Sequence, residues 1–124
     1  MLKFEIPVKL KTKSELTQIN RHPGGPKVAA AIYKQYLQLL KDEIFCAAPY
    51  RCNNGAPRAK KTVKILYVTR SKKPYDKDNL HYMIYPVMDA LKHLELIRDD
   101  SPTYVDLHVN YKRGDEYKVI VEIL

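Results

Sequence analysis

The chain has 124 residues, enough for one domain, residues 1–124, with a real core but not for two. Lysine and arginine number 22 against 14 acids, a formal net charge of +8. Such a surplus on a small domain favours an anionic partner, most often nucleic acid. No apolar run approaches membrane-spanning length, and Met1-Leu2-Lys3-Phe4-Glu5 lacks the apolar block of a signal peptide. The expectation is a cytoplasmic protein with no membrane partner.

Residues 2–10 alternate. Leu2, Phe4, Ile6, Val8 and Leu10 point one way and Lys3, Glu5, Pro7 and Lys9 the other, as in a strand with one buried face. Pro7 cannot donate to a ladder, so this strand belongs at an edge or carries a bulge. Residues 11–26, with Asn20-Arg21-His22-Pro23-Gly24-Gly25-Pro26, read as a polar loop. A helix is predicted from Lys27 to Phe45, with Val28, Ile32, Tyr36, Leu39 or Leu40, and Ile44 at helical spacing and Pro26 suited to its first turn. Cys46 and Cys52 lack zinc-ligand spacing and read as thiols of a reducing compartment. Residues 50–60 form a loop carrying Arg58 and Lys60.

Residues 61–69 read as a second strand, apolar on both faces and therefore central. A second helix is predicted from Asn79 to Leu94, with Leu80, Ile84, Val87, Leu91 and Leu94 as its stripe and a kink at Pro86. Residues 104–111 and 117–123 alternate and are joined by a polar segment containing Gly114, which predicts an antiparallel hairpin. The order is β-α-β-α-β-β. It predicts an α+β fold, a four-stranded mixed sheet with two helices packed on it.

The acids of this basic chain gather where cations crowd. Lys72, Lys73 and Lys77 surround Asp76 and Asp78, and Arg98 precedes Asp99 and Asp100. Carboxylates amid cations suit a nuclease: oxygens for a divalent metal, positive charge for the phosphate backbone. The same residues have a plainer use. Asp78-Asn79 suits a helix cap, and Asp99-Asp100-Ser101-Pro102 suits a turn. In extended chain Asp76 and Asp78 share a face. Asp100 is distant: fifteen helical residues advance about 22 Å, and the return from Leu94 to Asp100 spans at most about 23 Å. Either that segment runs fully back, or Asp100 is supplied by a second subunit across a symmetric interface.

The ordered set Asp76-Lys77-Asp78-Asn79-Leu80, Asp89-Ala90-Leu91 and Asp99-Asp100 resembles the RusA family of Holliday-junction resolvases. The likeness is detailed over residues 70–110. It implies a RusA-like fold and a homodimeric, Mg²⁺-dependent endodeoxyribonuclease that cuts four-way DNA junctions in recombination and repair, with Mn²⁺ able to replace Mg²⁺. A prophage or recombination setting is implied by the same likeness. The family's three essential carboxylates fall on Asp76, Asp78 and Asp100, with Asp99 a further metal-site candidate. Expected DNA contacts are Lys72, Lys73, Lys77, Arg58, Lys60, Asn20, Arg21 and Tyr82. One departure stands out. The family carries a lysine four residues after its second aspartate; here that position is Tyr82, or Tyr85 when counted back from Asp89. The alternative reading is therefore a junction-binding module with weakened or no turnover.

Overall fold

The computed structural model describes residues 2–48, 57–72 and 75–124. Four strands form one mixed sheet: β1 (Leu2–Ile6), β2 (Lys61–Thr69), β3 (Val105–Arg113) and β4 (Lys118–Ile123), in the spatial order β1-β4-β2-β3. β1 is an edge strand and stops at Ile6, where Pro7 ends the donors, although the in-out alternation of burial continues to Leu10. β2 has the expected bounds and a central place.

The expected hairpin does not form. β3 runs parallel to β2, with Ile65 opposite Val109, and β4 runs antiparallel on the other side of β2, with Ile65 opposite Val121. β4 then pairs antiparallel with β1, Phe4 opposite Val121. A tight hairpin would leave one edge of the apolar strand β2 open; splitting the pair covers both. The link from β3 to β4 must cross the end of β2. Gly114 makes that crossing, donating its N–H to the Thr69 carbonyl at 2.9 Å. A Cβ on Gly114 would sit 2.6 Å from Val68 Cγ1, so only glycine fits so close to the strand.

Three helices are found among the described residues, where two were expected: α1 (Lys13–Asn20), α2 (Pro26–Ala47) and α3 (Lys77–His93). α1 lies in the segment read as loop. Thr12 and Glu15 close a capping box, each side chain accepting from the other's backbone N–H at 3.2 Å, and Leu16 and Ile19 are buried. α2 begins on Pro26 after Gly25, whose φ of 93° favours glycine. Its inward face runs through Ala29, Tyr36, Leu37, Leu40 and Ile44; Val28 and Leu39 of the expected stripe face solvent. α3 buries Leu80, Met83, Ile84, Val87, Met88 and Leu91 and runs unbroken through Pro86. It does so without the bond that Pro86 cannot give to the Tyr82 carbonyl.

The core lies between the helices and one sheet face, where Ile6, Ile65, Tyr67, Val119 and Val121 are buried. Lys3, Glu5, Lys64, His108, Asn110 and Lys112 on the opposite face are exposed. Two phenols pin the chain between β1 and α1. Tyr67 Oη accepts from the Leu10 N–H and Tyr36 Oη from the Lys11 N–H, both at 3.1 Å. Burial pushes the Tyr67 hydroxyl up to about 12 and raises that of Tyr36, while the bonds from Leu10 and Lys11 pull the other way. Both pKa values are raised above the unfolded value of 10.0. The stability tied to these neutral phenols is therefore complete below about pH 10 and is lost as pH rises through the folded values. Phenolate absorbance during a base titration should rise in one cooperative step with loss of helical circular dichroism. A smooth titration of all tyrosines in the folded chain would show that these two are not buried.

Candidate functional site

β2 delivers the chain to the amino end of α3, where the first two acids stand. Asp76 is the N-cap. Its Oδ1 accepts from the Asn79 N–H at 2.8 Å and its Oδ2 from Asn79 Nδ2 at 3.0 Å. The cap is thus Asp76, two residues before the Asp78-Asn79 expected from sequence. Asp78 lies in the first turn, exposed, where a negative charge is favoured by the helix dipole. Asp76→Ala should cost about 1 kcal/mol through the lost cap. Asp76→Ser keeps a capping oxygen and removes the carboxylate. Loss of Mn²⁺ affinity in the serine variant, with unchanged urea midpoint, would separate a metal role from a capping role.

Asp99 and Asp100 lie past the carboxyl end of α3. Glu95 adopts a left-handed φ of 61°, and the Leu96 N–H bonds the Leu91 carbonyl at 3.0 Å, which turns the chain back along the helix. The return reaches the level of Tyr85. The charge of Asp100 is the first cause raising the Tyr85 hydroxyl above its ordinary pKa, ahead of desolvation and the charge of Asp89. Asp99 is held below the usual carboxylate range, first by hydrogen bonding to the Asp100 side chain, then by the Asp100 N–H at 2.8 Å, with Lys92 adding. Lys92 Nζ lies 4.0 Å from both Asp89 and Asp99, and His93 Nε2 lies 3.7 Å from Asp89.

Tyr85 is seven residues beyond Asp78, about 10 Å along the helix axis. Among the described residues of one chain, no three His, Cys, Asp or Glu side chains are grouped to hold a metal ion. Oxygen donors such as Asp76 and Asp78 suit a hard divalent cation, but α3 begins at Lys77, so the two are an N-cap and a first-turn residue rather than neighbours on one face of extended chain as expected.

A groove of about 720 Å³ runs along α3 from Asp78 to Asp89. It is lined by Leu16 and Asn20 of α1, Tyr33 of α2, and Asp78, His81, Tyr82, Tyr85, Pro86 and Asp89 of α3. Tyr33 Oη donates to Asp89 Oδ2 at 3.1 Å; burial first, then the charge of Asp89, raises its pKa. Lys13 Nζ stands 5.8 Å over the Tyr82 ring. Sequence reasoning had no route to Tyr33, fifty-six residues from Asp89, or to Leu16 in the unrecognised helix.

The proposed DNA contacts are placed unevenly. Lys72, Lys77, Arg58, Lys60 and Arg21 are exposed, as is Asn20 at the groove. Tyr82 is 39% exposed. Tyr75, just before Asp76, is half-buried against Tyr67 and Tyr111 with its hydroxyl 3.2 Å from Thr69 Oγ1. That packing reads as structural. Cys46 is an exposed free thiol. Lys73 and Cys52 lie outside the described residues. No helix among the described residues is long and apolar enough to cross a membrane.

No protein-family model matches the chain, and no curated protein matches it.

Proposed function

We propose that the chain is a RusA-like, divalent-metal-dependent endodeoxyribonuclease acting on four-way DNA junctions. The observation that supports this reading is that Asp76, as N-cap, and Asp78, in the first turn, both stand at the exposed amino end of α3, near exposed Lys72 and Lys77 in sequence, on a chain of net charge +8. Asp76, Asp78 and Asp100 would hold Mg²⁺, with Asp99 next to them. A bound ion of this kind acidifies water and neutralises charge on phosphate oxygens. The chain's own part is to supply oxygens, orient them from a helix cap, and draw in the backbone with Lys72, Lys77, Arg58, Lys60 and Arg21. Affinity should fall steeply with salt as those cations release counterions.

A second reading has its own support. Both oxygens of Asp76 are already engaged by Asn79, and Tyr82 or Tyr85 stands where the resembled family has lysine. These features favour a junction-binding module without turnover. Labelled four-way junctions incubated with the protein and Mg²⁺ or Mn²⁺ decide between them. Paired nicks support the nuclease; a retarded but intact junction supports the module. Equal affinity for junction and linear duplex, with no nicks, removes both.

A further inference from the structure

The segment that links β1 to α1 carries a lysine at every second position: Lys9, Lys11 and Lys13. Its inward side is fixed. Val8 and Leu10 are buried, and the N–H groups of Leu10 and Lys11 are tied to the phenols of Tyr67 and Tyr36. Thr12 is extended as well. In such a chain alternate side chains share a face, about 6.6 Å apart. Lys13 follows as the first residue of α1. Each ammonium lies over a different tyrosine ring: Lys9 5.0 Å from Tyr117, Lys11 5.3 Å from Tyr36 and Lys13 5.8 Å from Tyr82. A ring beneath the charge restricts the long side chain before any partner arrives, so less freedom is lost on binding. The three charges are also uncommitted. Among the described residues none of these lysines is in an ion pair, whereas Lys92 and Lys118 are. Glu116, next to Tyr117, is held by Lys118 at 3.6 Å, and Glu15 accepts from the Thr12 N–H at 3.2 Å.

We propose that Lys9, Lys11 and Lys13 form a phosphate-binding row for one strand of a nucleic acid, leading its backbone toward Tyr82 and the amino end of α3. A single file of evenly placed cations suits a polymer whose own charges stand in even single file. The net charge of +8 draws such a polymer from a distance. The row also has a direction. Lys13 stands over Tyr82, and Tyr82 lines the groove together with Asp78, its neighbour one helical turn earlier. A strand held at Lys9 and Lys11 and continued past Lys13 arrives beside Asp78. That the row binds nucleic acid stands on its own geometry; that it serves Asp78 rests on the nuclease reading.

Anisotropy titrations of a labelled duplex over a series of salt concentrations test the row. Each phosphate contact adds about 0.9 to the slope of log affinity against log salt, so Lys9→Gln/Lys11→Gln/Lys13→Gln should flatten the wild-type slope by about 2.7. Circular dichroism should not change, because none of the three is buried. Arginine at the same three positions should keep the slope. Lys3→Gln/Lys34→Gln/Lys64→Gln removes as much charge from exposed positions elsewhere and should keep it too. A wild-type slope in the first variant, or equal flattening in the last, overturns the row, since the charge of the whole chain would then govern binding. Phosphatidylserine vesicles bound as tightly as DNA, through the same three lysines, overturn nucleic acid as the ligand. In junction nicking, the glutamine variant should need several-fold more protein to reach half the maximal rate and keep that maximal rate. A wild type that shows the lysine-dependent slope but nicks nothing overturns the nuclease reading and leaves the row standing. Nicking with binding that ignores all three lysines does the reverse.

Discussion

Asp78→Asn is expected to abolish cleavage of four-way junctions while leaving junction binding intact. Asp78 is exposed and in the first turn of α3, so no packing is lost; the dipole contribution of its charge is only about 0.3–1 kcal/mol. Asparagine keeps the shape and one acceptor oxygen but not the negative charge that a hard cation needs. Loss of even an outer-shell partner at a metal site costs roughly 10–100-fold, so loss of a direct ligand should exceed that. Binding should hold or tighten, because one negative charge leaves a surface that faces phosphates. The measurement is single-turnover nicking beside a gel-shift titration at fixed salt. A variant that nicks at the wild-type rate removes Asp78 from the site.

Ile84→Ala is expected to be among the most destabilising substitutions on α3. Ile84 is fully buried on the face turned away from the groove, while its neighbour Tyr85 is 60% exposed. Removing the larger part of a buried isoleucine leaves a cavity and costs about 2–5 kcal/mol, a large share of the roughly 5–15 kcal/mol that stabilises a domain. The melting temperature should fall by on the order of 10 °C. Tyr85→Ala should stay within about 0.5 kcal/mol in the free chain, as exposed positions do. Urea titrations of both variants at concentrations too low for self-association give the comparison. Equal losses at positions 84 and 85 would mean that α3 is rotated from the orientation described.

Local signals carried the legible part of the fold. β2 has a strand on each side, the central place its run of apolar residues suggests, although its outer face at Lys64 is open to solvent. Pro7 marks β1 as an edge, and the bounds expected for α2 and α3 lie within two residues of those observed. α1 leaves little periodic signal although Thr12 and Glu15 spell a capping box, because its eight residues bury only Leu16 and Ile19. The hairpin reading failed for a different reason. Alternation in β3 and β4 says that each is a strand but not which strand lies between them. That choice is made by the two open edges of β2, forty residues upstream. The candidate site divides the same way. The neighbours Asp76 and Asp78 were legible as a pair, but which of them caps the helix depends on where the first turn closes. How far Asp100 returns depends on the left-handed turn at Glu95, a conformation that glutamate does not advertise.

The placing of β4 between β1 and β2 bears on how the protein is made. Of the described elements, the segment that holds β1 onto the sheet is the last to leave the ribosome. Until then Phe4 and Ile6 have no ladder to join, and the nascent chain waits with its first strand unattached. Contacts between the two ends of a sequence are slow to form, so a truncation that removes Lys118–Ile123 should yield an aggregating chain rather than a smaller folded one.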